Sequence, residues 1–165
     1  MDTQVQILRS AIDNEIRSFQ YYLEAAGRTE SPRVRQVWLD LSRDEIEHMR
    51  YLQAQVAALS LSGKWAAERM SQPQHQAVLT FAATAGQKPV ESDLEALRDG
   101  LRLEETAHGF YEEAAKKTSD ETAKRTYLEL AAMESDHYRL IQDTITMYED
   151  PSQWHYLQSP PMLEP

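Results

Sequence analysis

The chain of 165 residues contains no cysteine and only five glycines. Without thiols, the protein cannot form disulfides, bind iron–sulfur clusters or zinc through sulfur, or use a thiolate as a nucleophile. Most of the seven prolines lie between or beyond the segments that show helical periodicity. Together with the scarcity of glycine, this placement favours long helices over many short strands.

Positive charge is also scarce, since the formal net charge is -10 and lysines and arginines form no cluster. This balance argues against binding to nucleic acids or to anionic membranes. No stretch approaches the roughly 20 apolar residues of a membrane span, and residues 1–10 lack the apolar segment of a secretory signal. We therefore expect a cytoplasmic protein without a nucleic-acid or membrane partner.

The sequence does contain an E-x-x-H motif twice, at residues 45–48 and 134–137. A further glutamate precedes each copy by 30 residues, so the two halves are in register at an offset of 89. The pattern consists of six residues: Glu15, Glu45, His48, Glu104, Glu134 and His137. In each half, the polar members lie in the middle of apolar stripes that have helical spacing.

These stripes predict four helices. The first extends from about residue 3 to residue 26, with Gly27 as its C-terminal stop. The second begins with Ser31 as the N-cap and Pro32 at the first helical position. Capping boxes at 92–95 and 118–121 predict the starts of the third and fourth helices.

The connections define the expected arrangement of the helices. Short links make helices 1 and 2, and helices 3 and 4, antiparallel neighbours, whereas residues 60–91 are long enough to cross the length of a bundle. We predict an all-α, antiparallel four-helix bundle over residues 1–150, built from two duplicated helical hairpins joined by this crossover. Residues 151–165 form a tail that packs on the bundle or on a partner subunit.

Six such residues in the core of a bundle indicate a site for two metal ions. Residues three apart on a helix project to the same side, so Glu45 and His48 can serve one site together. Four buried carboxylates carry a charge that two divalent cations would balance. Carboxylate and imidazole ligands suit iron, manganese or zinc. The alternatives are glutamates that repeat by chance, or a bundle that keeps these residues without binding metal.

The repeated motif, together with the ending Tyr148-Glu149-Asp150-Pro151, resembles the ferritin-like di-iron superfamily, and within it the rubrerythrin group. The resemblance covers about residues 3–150. It implies a ferritin-like bundle, a cofactor of two iron ions, for which manganese or zinc could substitute, and a homodimer. It also implies that the six residues of the repeat are the iron ligands.

Two features depart from the rubrerythrin pattern. Rubrerythrins carry a rubredoxin domain with four cysteines, which this chain lacks. Electrons must then come from another protein, such as a rubredoxin-like protein or a flavoprotein, or from a small reductant. Rubrerythrins also have a further glutamate three residues after the ligand in helix 3. Ala107 occupies that position here, and Ser18 occupies the matching position in helix 1. The ligand set is therefore more similar to the bacterioferritin type.

Three further residues are candidates for roles near the metals. His108 lies four residues after Glu104 and could be an additional ligand, or simply a hydrogen-bonded core histidine. Tyr22 and Tyr111 lie seven residues after the isolated glutamates. Their hydroxyls could bond to the ligand carboxylates or quench radicals, or the rings could only fill the core.

The resemblance implies an oxidoreductase, and several activities remain open. The first is reduction of hydrogen peroxide, and the second is a ferroxidase that oxidises Fe(II) with O₂ or peroxide. The same fold also supports substrate oxygenases. A metal-stabilised module without catalytic activity is the remaining alternative.

Overall fold

The computed structural model describes residues 2–66, 70 and 90–150, which form four α-helices and no strand. The helices are α1 (Asp2–Arg28), α2 (Pro32–Ser62), α3 (Glu91–Lys117) and α4 (Glu121–Glu149). The all-α bundle is therefore confirmed. None of these helices is both long enough and apolar enough to cross a bilayer. Most of the predicted crossover and the predicted tail, 151–165, lie outside the described residues.

Hydrogen bonds between the hairpins show how the helices are oriented. Gln4, at the start of α1, donates to Thr118 at the end of α3 (3.3 Å) and accepts from Tyr127 near the start of α4 (3.2 Å). At the opposite end, the hydroxyls of Ser31 and Tyr148 lie 3.3 Å apart. The helices α2 and α3 therefore run parallel, so the end of α2 and the start of α3 lie at opposite ends of the bundle, whose helices are about 40 Å long for 27 residues.

Two apolar layers fill the bundle, one toward each end. The first includes Leu8 and Leu130, and the second includes Leu41, Leu97 and Ile141. Burial of each such side chain stabilises the folded state by about 1.5–3 kcal/mol relative to leaving it exposed. The six polar residues of the repeat lie between these layers, so the packing that stabilises the fold also separates these six residues from water.

The starts of the helices only partly follow the sequence-based prediction. Ser31 caps α2 as predicted, since its hydroxyl accepts from the Val34 N–H at 3.4 Å. The predicted boxes of α3 and α4 were wrong. The helix α3 begins two residues earlier than predicted, with Val90 as its cap, and the Asp93 carboxylate accepts from the N–H of Val90. Asp120, rather than residue 118, caps α4 because its carboxylate accepts two N–H groups at 2.9 Å.

The ends of the two helices of the first hairpin differ in how they use glycine. The prediction that Gly27 stops α1 was wrong, because Gly27 keeps a negative φ and the helix continues to Arg28. Gly63 does end α2: with φ of 69° it adopts the left-handed conformation, and its N–H donates to the Leu59 carbonyl at 2.9 Å. A glycine therefore ends a helix only where the backbone changes hand.

Candidate metal centre

The structure brings the six residues of the repeat together at the centre of the bundle, with at least one residue from each helix. All six are at most 1% exposed. Their ligand atoms form two overlapping groups, and the atoms within each group lie within 4.8 Å of one another. The first group is Glu15, Glu45, His48 and Glu134, and the second is Glu45, Glu104, Glu134 and His137. The two glutamates of the E-x-x-H motifs belong to both groups.

In the first group, the carboxylates surround Nδ1 of His48. This nitrogen lies 3.2 Å from Oε2 of Glu15, 3.3 Å from Oε2 of Glu45 and 3.3 Å from Oε1 of Glu134. The ligand atoms come from three helices, so this group exists only when the two hairpins are docked. Its composition, three carboxylates and one imidazole, suits a hard or borderline divalent cation.

The second group repeats this arrangement around His137. Nδ1 of His137 lies 3.5 Å from an oxygen of each of Glu45, Glu104 and Glu134. Glu45 and Glu134 each turn one oxygen toward this imidazole and the other toward His48. The two rings are nearly parallel, with their centroids 5.2 Å apart. The shared carboxylates are thus in the position that bridging ligands between two metal ions would occupy.

The two buried tyrosines link the hairpins reciprocally. Tyr22 on α1 donates its hydroxyl to Glu104 on α3, and Tyr111 on α3 donates its hydroxyl to Glu15 on α1. Burial raises the pKa of both phenols, and the neighbouring carboxylates raise it further. The tyrosines are therefore neutral donors, and each orients the isolated glutamate of the opposite hairpin.

The four carboxyl groups divide into two electrostatic classes. Burial raises the pKa of Glu15 and Glu104, and the charge of Glu134 raises it further. Burial also opposes ionisation of Glu45, but the neighbouring Glu15 and the two imidazoles outweigh it and lower the pKa of Glu45 to about 2. The two nearby imidazoles lower the pKa of Glu134 in the same way. The shared glutamates are therefore the anionic pair.

The imidazoles complete the charge balance. Burial lowers the pKa of His48 and His137, but the surrounding carboxylates outweigh this effect and hold both values well above the usual range. These directions favour positively charged imidazoles beside the two anionic glutamates, and protonated Glu15 and Glu104, when no metal is bound. Metal ions compete with these protons for the same atoms, because only deprotonated groups act as ligands.

Several carboxylate oxygens at the centre accept no hydrogen bond from the described residues. These buried atoms are both oxygens of Glu45, Oε2 of Glu104 and Oε1 of Glu134. A buried carboxylate oxygen without a donor is costly unless a cation compensates it. The oxygen-rich donor set and the shared glutamates therefore fit a pair of iron ions.

Other residues near the centre differ in how far the sequence could identify them. Asp44 was missed: its Oδ2 lies 3.4 Å from Nε2 of His137, the ring nitrogen that points away from the carboxylates. The available signal was an acidic residue directly before the first E-x-x-H motif. His108 is half-buried and belongs to neither group. Ser18 and Ala107 are buried, and neither brings a carboxylate to the site.

Comparison with known proteins agrees with this geometry. The sequence matches the rubrerythrin family over residues 6–145. A hypothetical protein from Pyrococcus furiosus has a similar fold, with a TM-score of 0.66 and 21% identity over 89% of this chain and 90% of that one. A search of curated proteins gave no significant match. Since the family match spans most of the sequence, the chain belongs to the rubrerythrin family of ferritin-like di-iron proteins.

Proposed function

We propose that the protein is a di-iron oxidoreductase that reduces hydrogen peroxide with electrons from an external donor. The observation that carries this proposal is the burial of all six candidate ligands, each at most 1% exposed. A centre enclosed in this way suits repeated turnover with retained metal, because release of an ion would require the bundle to open. The small size of peroxide is compatible with such a closed site.

The ligand roles follow from the positions of the side chains. Glu45 and Glu134 would bridge the two metal ions, since each faces both imidazoles. Glu15 and Glu104 would each bind one ion. Two bound Fe(II) ions would supply the two electrons that reduce one peroxide molecule to two water molecules.

The protein must also supply two protons for each peroxide reduced. Tyr22 and Tyr111 hold protons at hydroxyls that are bonded directly to Glu104 and Glu15. Each tyrosine–glutamate pair can deliver one proton to a leaving oxygen and recover it later, which is the task of a general acid. The duplicated arrangement provides one such pair on each side of the shared carboxylates.

Electrons must enter from another molecule, because the chain has no cysteine with which to build an iron–sulfur relay. A rubredoxin-like protein or a flavoprotein is the donor class that we propose, in the cytoplasm and with the enzyme as a homodimer. Mixing the iron-loaded, oxidised protein with a reduced donor of each class, and recording the rate of reduction, tests this part separately.

The central experiment loads the protein with Fe(II) without oxygen and then adds peroxide or O₂ in separate runs. We expect two irons per chain, and an absorbance change with peroxide that is complete at one peroxide per iron pair. Reduction with dithionite should restore the starting spectrum for a second turnover. Failure to bind two irons, or a lack of reaction with peroxide, would rule out the proposed activity.

A ferroxidase is the second candidate, and Ala107 is the observation that favours it. This buried residue occupies the position of the further glutamate that rubrerythrins have, so the ligand set is similar to that of bacterioferritin. The two functions differ in the fate of oxidised iron. A chelator added after oxidation should capture Fe(III) rapidly from a ferroxidase, whereas a peroxidase should retain it through many turnovers.

A further inference from the structure

The two imidazoles at the centre have different partners on the ring nitrogens that face away from the carboxylates. Nε2 of His137 lies 3.4 Å from Oδ2 of Asp44, whose side chain is only 16% exposed. Asp44 directly precedes Glu45 on α2, so its contact with His137 on α4 crosses between the hairpins. A carboxylate at this distance favours the tautomer with the proton on Nε2 and leaves Nδ1 available as a ligand.

Nε2 of His48 lacks an equivalent partner. Among the described residues, no carboxylate pairs with this buried atom, whereas Oδ2 of Asp44 lies beside Nε2 of His137. The repeat offset of 89 assigns the position of Asp44 to Met133 in the second hairpin. Met133 is buried, and its thioether is only a weak acceptor without charge. The repeat therefore duplicated the ligands but not the carboxylate that supports one of them.

We propose that Asp44 makes the two metal positions unequal, so that the position beside His137 binds a divalent metal more tightly than the position beside His48. The inference rests on the proposed dinuclear centre and concerns the order in which its positions fill. Asp44 acts through His137 and is a positioning residue. In other metalloproteins, loss of such a partner weakens metal binding about 10- to 100-fold.

The test uses Co(II), because its anomalous scattering in a crystal measures how much metal occupies each of the two positions. Crystals of the full chain would be grown with one equivalent of Co(II). When two positions compete for one ion, the ratio of their occupancies is the square root of the ratio of their affinities. We therefore expect the position beside His137 to be about three- to tenfold more occupied. Equal occupancies, or a preference for the position beside His48, would overturn the inference.

Two substitutions change the preference in defined ways. Asp44→Asn keeps the size of the side chain and removes its charge, so it should equalise the two occupancies. Met133→Asp supplies a carboxylate at the repeat position and, combined with Asp44→Asn, should reverse the preference. If the double variant does not fold, Asp44→Asn alone decides: a preference that survives this substitution contradicts the role of Asp44.

A matched control separates this local effect from the loss of one negative charge. Asp136 directly precedes His137, is about half exposed and pairs with Arg139 at 2.9 Å. Asp136→Asn should leave the occupancy ratio unchanged, and a ratio that falls as far as in Asp44→Asn would overturn the inference. Absence of any Co(II) at the centre, with no binding in solution, would instead reject the proposed dinuclear site.

Discussion

The hairpin α1–α2 and the hairpin α3–α4 each supply two glutamates and one histidine to the centre, but they differ in the residues around those ligands. Asp44 of the first hairpin supports His137, whereas Met133 stands at the equivalent position of the second hairpin. The positions of the ligands are constrained by the chemistry of a paired metal site. The surrounding residues need only pack well and adjust the properties of the ligands that they contact, so they can differ between the halves.

The apolar layers show the same kind of difference. Trp38 stacks on Tyr22 with ring centroids 5.4 Å apart, and its repeat equivalent is the smaller Tyr127. The larger indole is accommodated by Gly100, where a Cβ would lie 2.9 Å from the Trp38 ring, whereas the equivalent residue of α1 is Ala11. A larger side chain in one hairpin is therefore matched by a smaller one in the other.

The largest expected effect comes from removing a shared ligand. Glu45→Ala should abolish binding of both metals, because this carboxylate belongs to both groups, and Glu134→Ala should do the same. Glu15→Ala should leave one metal per chain, since Glu15 belongs to one group only. Metal analysis after gel filtration measures these stoichiometries. One retained metal in Glu45→Ala would contradict the bridging role.

The chelator-treated protein should lose stability as the pH rises. The folded chain holds protons on Glu15 and Glu104, and on His48 and His137, above the pH at which the unfolded chain releases them. For each such proton, the free energy of unfolding falls by about 1.4 kcal/mol per unit rise in pH, between the pKa of the unfolded state and that of the folded state. Urea unfolding between about pH 5 and pH 9 measures this slope.

Substitution of the two isolated glutamates provides the control for that slope. In Glu15→Gln/Glu104→Gln, the two amides cannot titrate, so only the imidazole contribution should remain. Loading with zinc should also flatten the profile, because the ligands are then deprotonated in the folded state. A stability that increases with pH across this range would contradict the assigned protonation of the cluster.

Packing between the hairpins should be sensitive at Gly100. Gly100→Ala places a methyl group 2.9 Å from Trp38 and 3.2 Å from Ile141, and we expect a loss of about 1–3 kcal/mol in the free energy of unfolding. Gly109→Ala on the same helix meets nothing within 4 Å and should stabilise the protein by about 0.5–1 kcal/mol. Denaturant unfolding measures both, and equal effects would contradict the close approach.

The smallest expected effects concern the reciprocal tyrosines. Tyr22→Phe and Tyr111→Phe each remove one buried hydrogen bond to a glutamate, which should cost about 1 kcal/mol of stability. The exposed Tyr138→Phe is the control and should cost nothing measurable. If the tyrosines also deliver protons, each buried variant should slow peroxide reduction. Stability loss without any change in rate would limit them to a structural role.

The sequence was sufficient to predict the four helices and the clustering of the six repeat residues. Both follow from local periodicity and from one internal offset, and each candidate ligand lies inside an apolar stripe that must face the core. The particular glutamate that the Tyr22 hydroxyl contacts, and the contact of Asp44 with His137, could not be predicted in the same way. Each reaches across from one hairpin to the other, so its partner depends on how α1 packs against α3 and how α2 packs against α4.

The candidate ligands are distributed over all four helices, and this distribution has a consequence for protein synthesis. A nascent chain that has emerged only through α3 lacks Glu134 and His137, which lie in the last helix. Neither group of ligands is then complete, because Glu134 belongs to both. A complete set of candidate ligands is therefore present only after the bundle has been translated almost to its end.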